Sequence, residues 1–93
     1  MGVRNGCGVP IEVVSNDRSV FPEGFLEFRV VLAGSTDRVG GASDDWERLF
    51  VWVRLPGDVS EGRRLVWERD EVVSGGPGEP EFVAVIEGSA CPP

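Results

Sequence analysis

The spacing of apolar positions along the chain picks out five strand-like segments and no segment with a sustained helical period. They are expected at Val9 to Ser15, Phe25 to Leu32, Leu49 to Leu55, Arg64 to Val73 and Glu81 to Glu87. Turn-forming clusters separate them: Ser15-Asn16-Asp17, Pro22-Glu23-Gly24, Pro56-Gly57-Asp58, and the run Gly75-Gly76-Pro77-Gly78-Glu79-Pro80. Short strands with regular punctuation predict an all-β fold. We expect a small antiparallel β-sandwich or partly open barrel of about five to seven strands, with an immunoglobulin-like sandwich as one form of it.

The strands differ in how their two faces read. In the second, Leu26, Phe28, Val30 and Leu32 alternate with Glu27 and Arg29, which predicts one face on the core and one in water. The third carries Leu49, Val51, Val53 and Leu55 on one face and Phe50 and Trp52 on the other, between Arg48 and Arg54. The fifth likewise sets Phe82, Ala84 and Ile86 against Val83 and Val85. Strands apolar on both faces are either covered on both sides or leave one face for a partner. The candidate partner-binding residues are therefore Arg48, Phe50, Trp52, Arg54, Val83 and Val85. Trp67, alternating with Leu65, reads as core. In the loop from Gly34 to Asp45, Ser43 or Asp44 can cap a single helical turn before the third strand.

Length changes the picture in one respect: 93 residues suffice for a single core, so residues 1–93 are read as one β domain. The net charge of -7, with no Lys, disfavours direct contact with nucleic acid or an anionic membrane, which rests on releasing counterions. Acidity of this kind also suits mimicry of nucleic acid towards a basic protein site. No apolar run approaches the ~20 residues of a membrane span, and Met1 to Gly6 lacks the apolar stretch of a signal peptide, so neither membrane insertion nor Sec-type export is expected.

Catalytic chemistry is mostly excluded by what is missing. The chain has no His, Lys, Tyr or Gln, which removes the commonest general base, the commonest metal ligand and Schiff-base or phenolic chemistry. Carboxylate pairs such as Asp44/Asp45 or Glu68/Asp70 would need a shaped groove to act as acid and base. The acidic loop Asp37 to Asp45 matches no EF-hand spacing, and Gly34, Gly40 and Gly41 form no phosphate-binding motif. No cofactor or metal is expected.

Cys7 and Cys91 have no CxxC spacing and no His to complete a zinc site. They are two free thiols or a disulfide that joins the chain ends, with a catalytic thiol ranked last because neither Cys has an activating base in the sequence around it. The function expected from these observations is non-enzymatic: a structural or assembly protein acting through contacts with itself or a larger assembly, such as a virion decoration, cement or connector subunit. The alternative is an acidic inhibitor or DNA mimic that binds a basic site on an enzyme.

Overall fold

The structure is a computed structural model and describes residues 1–16, 28–39 and 46–92. Within them the strands are β1 (Gly2–Asn5), β2 (Ile11–Asn16), β3 (Arg29–Val31), β4 (Thr36–Arg38), β5 (Arg48–Arg54), β6 (Arg63–Glu68), β7 (Val73–Ser74) and β8 (Phe82–Ile86). They form two four-stranded sheets, ordered β4-β1-β8-β7 and β3-β2-β5-β6. The fold is all-β, as the alternation predicts, with eight strands where five to seven were expected.

β5 is the spine of the second sheet because its uninterrupted run from Leu49 to Val53 can be buried on both sides. β2 and β6 flank it in antiparallel register, pairing Val13 with Val53 and Leu65 with Val51. In the first sheet β1 runs parallel to β8, with Val3 opposite Ala84 and Asn5 opposite Ile86. The first and last strands are therefore neighbours. Val3, Ala84 and Ile86 from this sheet meet Ile11, Val13, Val31, Leu49, Val51 and Val53 from the other, and all are buried. Each contributes roughly 1.5–3 kcal/mol on burial, Ala84 less, so this shared layer is the main driving force for folding.

The chain passes between the sheets four times, and two of these links join edge strand to edge strand. Residues 32–35 link β3 to β4, with Ser35 N–H donating to Leu32 O at 3.0 Å. On the other side a 3-10 turn at Arg69–Glu71 links β6 to β7, and Glu71 Oε1 accepts from Glu68 N–H at 2.8 Å. The strands thus follow one another around a ring, which makes the fold a partly open barrel. Trp46 closes one end of the core, edge-to-face on Phe82 at 5.5 Å, with the Arg69 guanidinium over both rings.

Several expectations are corrected in detail. The segment Arg64 to Val73 is not one strand: the 3-10 turn breaks it and sends its end to the other sheet. In the segment from Phe25 to Leu32, only Arg29–Val31 pairs among the described residues, and its faces are the reverse of those expected. Val31 is buried, whereas Val30 and Leu32 are exposed. β1 and β4 add strands where no alternation pointed to them. The immunoglobulin arrangement sets strands one, two, five and four in one sheet and three, six and seven in the other. The order here is a different one. The helical turn expected at Ser43 or Asp44, Leu26 and Glu27, and the glycines Gly40 and Gly41 lie outside the described residues.

Candidate functional site

The alternation of β5 sends Phe50 and Trp52 to the outer face of the second sheet, where they join Val14 and Phe28 in a small second apolar cluster. Register brings Val66 opposite Phe50 and Arg64 opposite Trp52. Two guanidiniums lie over the rings: Arg54 stands 3.7 Å from the centre of Phe28 and Arg64 lies 5.7 Å from that of Phe50. Arg54 also donates to Glu12 at 3.1 Å, and Arg48 donates to Glu68 at 2.9 Å. Phe50 and Trp52 are only 9% and 5% exposed. The rings are thus covered, and a partner would meet the rim around them. Trp52→Ala is accordingly expected to cost about 2 kcal/mol of folding stability, measured by urea unfolding. A variant of unchanged stability would return Trp52 to the surface.

Val83 and Val85 do not share that face. They belong to β8, in the other sheet, and point away from Ala84 and Ile86, onto the opposite outer surface of the barrel. Val83 is buried and Val85 half-buried. The Gly-rich run folds back over this surface: a Cβ on Gly2, the register partner of Val83, would lie 2.7 Å from Pro80 Cγ. Arg4 fastens the run by donating to Thr36 Oγ1 at 3.0 Å and to Glu79 Oε1 at 3.1 Å. The Gly76 N–H and then the Thr36 hydroxyl hold the Glu79 carboxyl below the usual carboxylate range. The six candidate contact residues are therefore divided between two opposite faces.

A different surface emerges at one end of the barrel. The ends of β1, β3, β5 and β8 and the beginnings of β2, β4 and β6 meet there, and Cys7 and Cys91 are joined in a disulfide with Cα atoms 5.9 Å apart. Asn5, fully buried, organises the loops. Its Nδ2 donates to Val9 O and Val31 O, both at 2.8 Å, and its Oδ1 accepts from Cys7 N–H at 2.8 Å. Its backbone exchanges hydrogen bonds with Ser35 O and Gly34 N–H across the 32–35 corner.

The loops at this end present apolar side chains to solvent. Seven large hydrophobic residues are exposed among the described residues, and five of them, Val9, Val30, Leu32, Leu55 and Val59, lie at or beside this end. Val59 is 97% exposed and Leu32 60%. The sequence held a signal for this surface that strand periodicity passes over: apolar residues inside turn-rich segments, as in Val9-Pro10 and Leu55-Pro56-Gly57-Asp58-Val59.

The opposite end of the barrel is rich in charge, with exposed Glu47, Glu68, Asp70, Glu71 and Glu81 standing among Arg38, Arg48, Arg69 and the Met1 amine, which lies near Arg38 and Glu81. Asp58 and Glu79, the carboxylates with displaced titration, are both held low, Asp58 chiefly by the Ser60 N–H and then its hydroxyl. A general acid needs the reverse displacement. Among the described residues no group of three or more Cys, Asp or Glu side chains is placed to hold a metal ion, and no helix is long and apolar enough to cross a membrane. No protein-family model, curated protein or solved structure matches the chain.

Proposed function

We propose that this chain is a non-enzymatic structural or assembly protein that works through protein–protein contacts made by the disulfide end of the barrel. The observation that carries the reading is the exposure of Val9, Leu32, Leu55 and Val59 at that end, the first two on loops that Asn5 and the disulfide hold in place and the last two on a loop held by Asp58 N–H to Leu55 O and Ser60 N–H to Asp58 Oδ1. Clustered exposed apolar residues mark interaction sites, whereas scattered ones need no explanation. Loops pinned before binding lose little entropy on docking.

The partner we favour is a second copy of the chain. Glu47, Glu68, Asp70, Glu71 and Glu81 lie at the far end of the seven-residue β5, roughly 20 Å away. That exceeds the ~8 Å over which charges act at physiological salt, so the far-end charges do not oppose the contact, and the charges that meet are those of the disulfide end itself, where exposed Asp58, Glu61 and Glu87 stand with Arg63. A decoration, cement or connector subunit of a virion or similar particle would use such an end. Light scattering across a wide concentration range is expected to give a mass above the 10.1 kDa monomer. Leu32→Asp with Val59→Asp is expected to return it to the monomer, with the unfolding midpoint unchanged when both chains are compared at a concentration where the wild type is also monomeric. A wild-type chain that stays monomeric throughout would overturn the reading.

The net charge of -7 and the exposed carboxylates at the end away from the disulfide favour a second reading, an inhibitor or DNA mimic directed at a basic site. It predicts a strict monomer whose capture of a basic enzyme weakens steeply with salt, and is lost with Glu71→Gln and Asp70→Asn rather than with the apolar substitutions.

A further inference from the structure

We infer that Asn5-Gly6 is a latent deamidation site which the native fold silences and which opening of the Cys7–Cys91 disulfide exposes. The chemistry is intrinsic to the pair. The Gly6 backbone nitrogen loses its proton and attacks Asn5 Cγ, the bond from Cγ to Nδ2 breaks, and ammonia leaves. Water then opens the resulting succinimide at either carbonyl to give aspartate or isoaspartate. One water is consumed and one ammonia released, with no oxidant or reductant. Glycine in the second position leaves the attacking nitrogen unhindered and the backbone free to turn.

The fold requires both residues for independent reasons. Position 5 must supply two donors and one acceptor in a fully buried place, which an Asn amide does. Position 6 has no room for a side chain, since a Cβ there would lie 2.9 Å from both Glu87 Cβ and Ile86 O. The structure thus demands the most labile pair at this point of the chain, and the same contacts protect it. Both amide heteroatoms of Asn5 are held, so its Cγ cannot swing towards Gly6. The Gly6 N–H is committed to Ile86 O at 2.7 Å, which keeps the would-be nucleophile protonated and turned away. Cys7 is the next residue, and its N–H is the one that fixes Asn5 Oδ1. The disulfide ties this residue to the segment following β8, the strand that supplies Ile86 O.

Conversion is expected to be one-way for the fold. Aspartate offers acceptors where Val9 O and Val31 O need donors, and leaves a buried charge with the Cys7 N–H to offset it and no cation among the described residues bonded to it. Isoaspartate inserts a methylene into the backbone of β1 and disturbs its register with β8. Reduction followed by deamidation would therefore turn a reversible opening into permanent loss of the native state.

The test follows Asn5 in the full chain by fragment-resolved mass spectrometry at mildly alkaline pH. Three conditions are compared: oxidised in buffer, treated with a phosphine reductant in buffer, and reduced in urea. Asn16, followed by Asp17 and carried on the same arginine-cleavage peptide, is the internal reference. Asn5 is expected to convert about a hundredfold more slowly in the oxidised native chain than in urea, as a well-protected local opening allows. Reductant alone should raise the native rate, and in urea Asn5 should outrun Asn16. Equal rates in the oxidised native chain and in urea would overturn protection by the fold. A reductant-treated rate equal to the oxidised one would overturn the guarding role of the disulfide. Recovery of the native circular dichroism by converted, reoxidised chain would overturn the one-way step.

Discussion

Asn5→Ala is expected to lower the unfolding free energy by about 4 kcal/mol, a large part of the 5–15 kcal/mol that a domain commonly has. The substitution removes three side-chain hydrogen bonds at a site with no solvent access. It leaves Val9 O, Val31 O and Cys7 N–H in place without those partners. A single hydrogen bond contributes about 1 kcal/mol net, and an orphaned buried group costs about 1–3 kcal/mol. Some of the latter is recovered if water enters the vacated space. For a domain of this size the loss corresponds to a fall in melting temperature of roughly 15–30 °C. Ser15→Ala is the comparison. Ser15 Oγ donates a single bond, to Val39 O at 3.1 Å, and its removal is expected to cost about 1 kcal/mol. If urea unfolding gave the two variants similar midpoints, Asn5 would not be the hub that the geometry makes it.

The importance of Asn5 also explains which parts of the molecule were legible in the sequence. β5 and β8 were readable because hydrophobic burial writes itself as composition: a strand covered on both sides must be apolar at successive positions, and Leu49 to Val53 and Phe82 to Ile86 are. β1 was not readable. Its residues Gly2, Val3, Arg4 and Asn5 show no alternation, and it is a strand because β8 and β4 pair with it and because Asn5 anchors its end. A buried polar residue whose partners are all backbone atoms leaves no periodic trace.

Parity in β3 failed for a related reason. Both sets of alternate residues there contain valine, and hydrophobicity alone cannot choose between them. The choice is made by the bond from Asn5 Nδ2 to Val31 O and by the 32–35 corner, which turn Val31 inward and leave Val30 and Leu32 outside. The break after β6 had a weak signal, the spacing of Glu68 and Glu71, but the surrounding valines and Trp67 masked it. For the proposed contact surface, the two-faced strands pointed to Phe50 and Trp52, which the chain covers. The exposed apolar residues sit in loops, where strand periodicity carries no information.

Removing the disulfide, by Cys7→Ser with Cys91→Ser, is expected to destabilise the chain by about 4 kcal/mol. The bridge spans 84 residues, and in the chain-entropy model closing a loop of that length lowers the entropy of the unfolded chain by the equivalent of about 4–5 kcal/mol at 25 °C. The topology makes the effect hard to compensate. Without the bridge, parallel pairing of β1 with β8 must itself bring together strands from the two ends of the chain before its hydrogen bonds form. The loss should therefore appear mainly as slower refolding, with the unfolding rate changing less. Urea chevrons of the oxidised wild type and the double-serine chain measure both. A loss confined to the unfolding rate would mean that the bridge acts by holding the native loops and not by restricting the unfolded chain. The bridge and Asn5 should also be coupled, because Cys7 N–H donates to Asn5 Oδ1. Combining Asn5→Ala with the serine substitutions is expected to depart from additivity by about 1 kcal/mol or more, as residues sharing one network do. Strict additivity would separate the two, leaving Asn5 a local cap and the disulfide an independent closure of the chain.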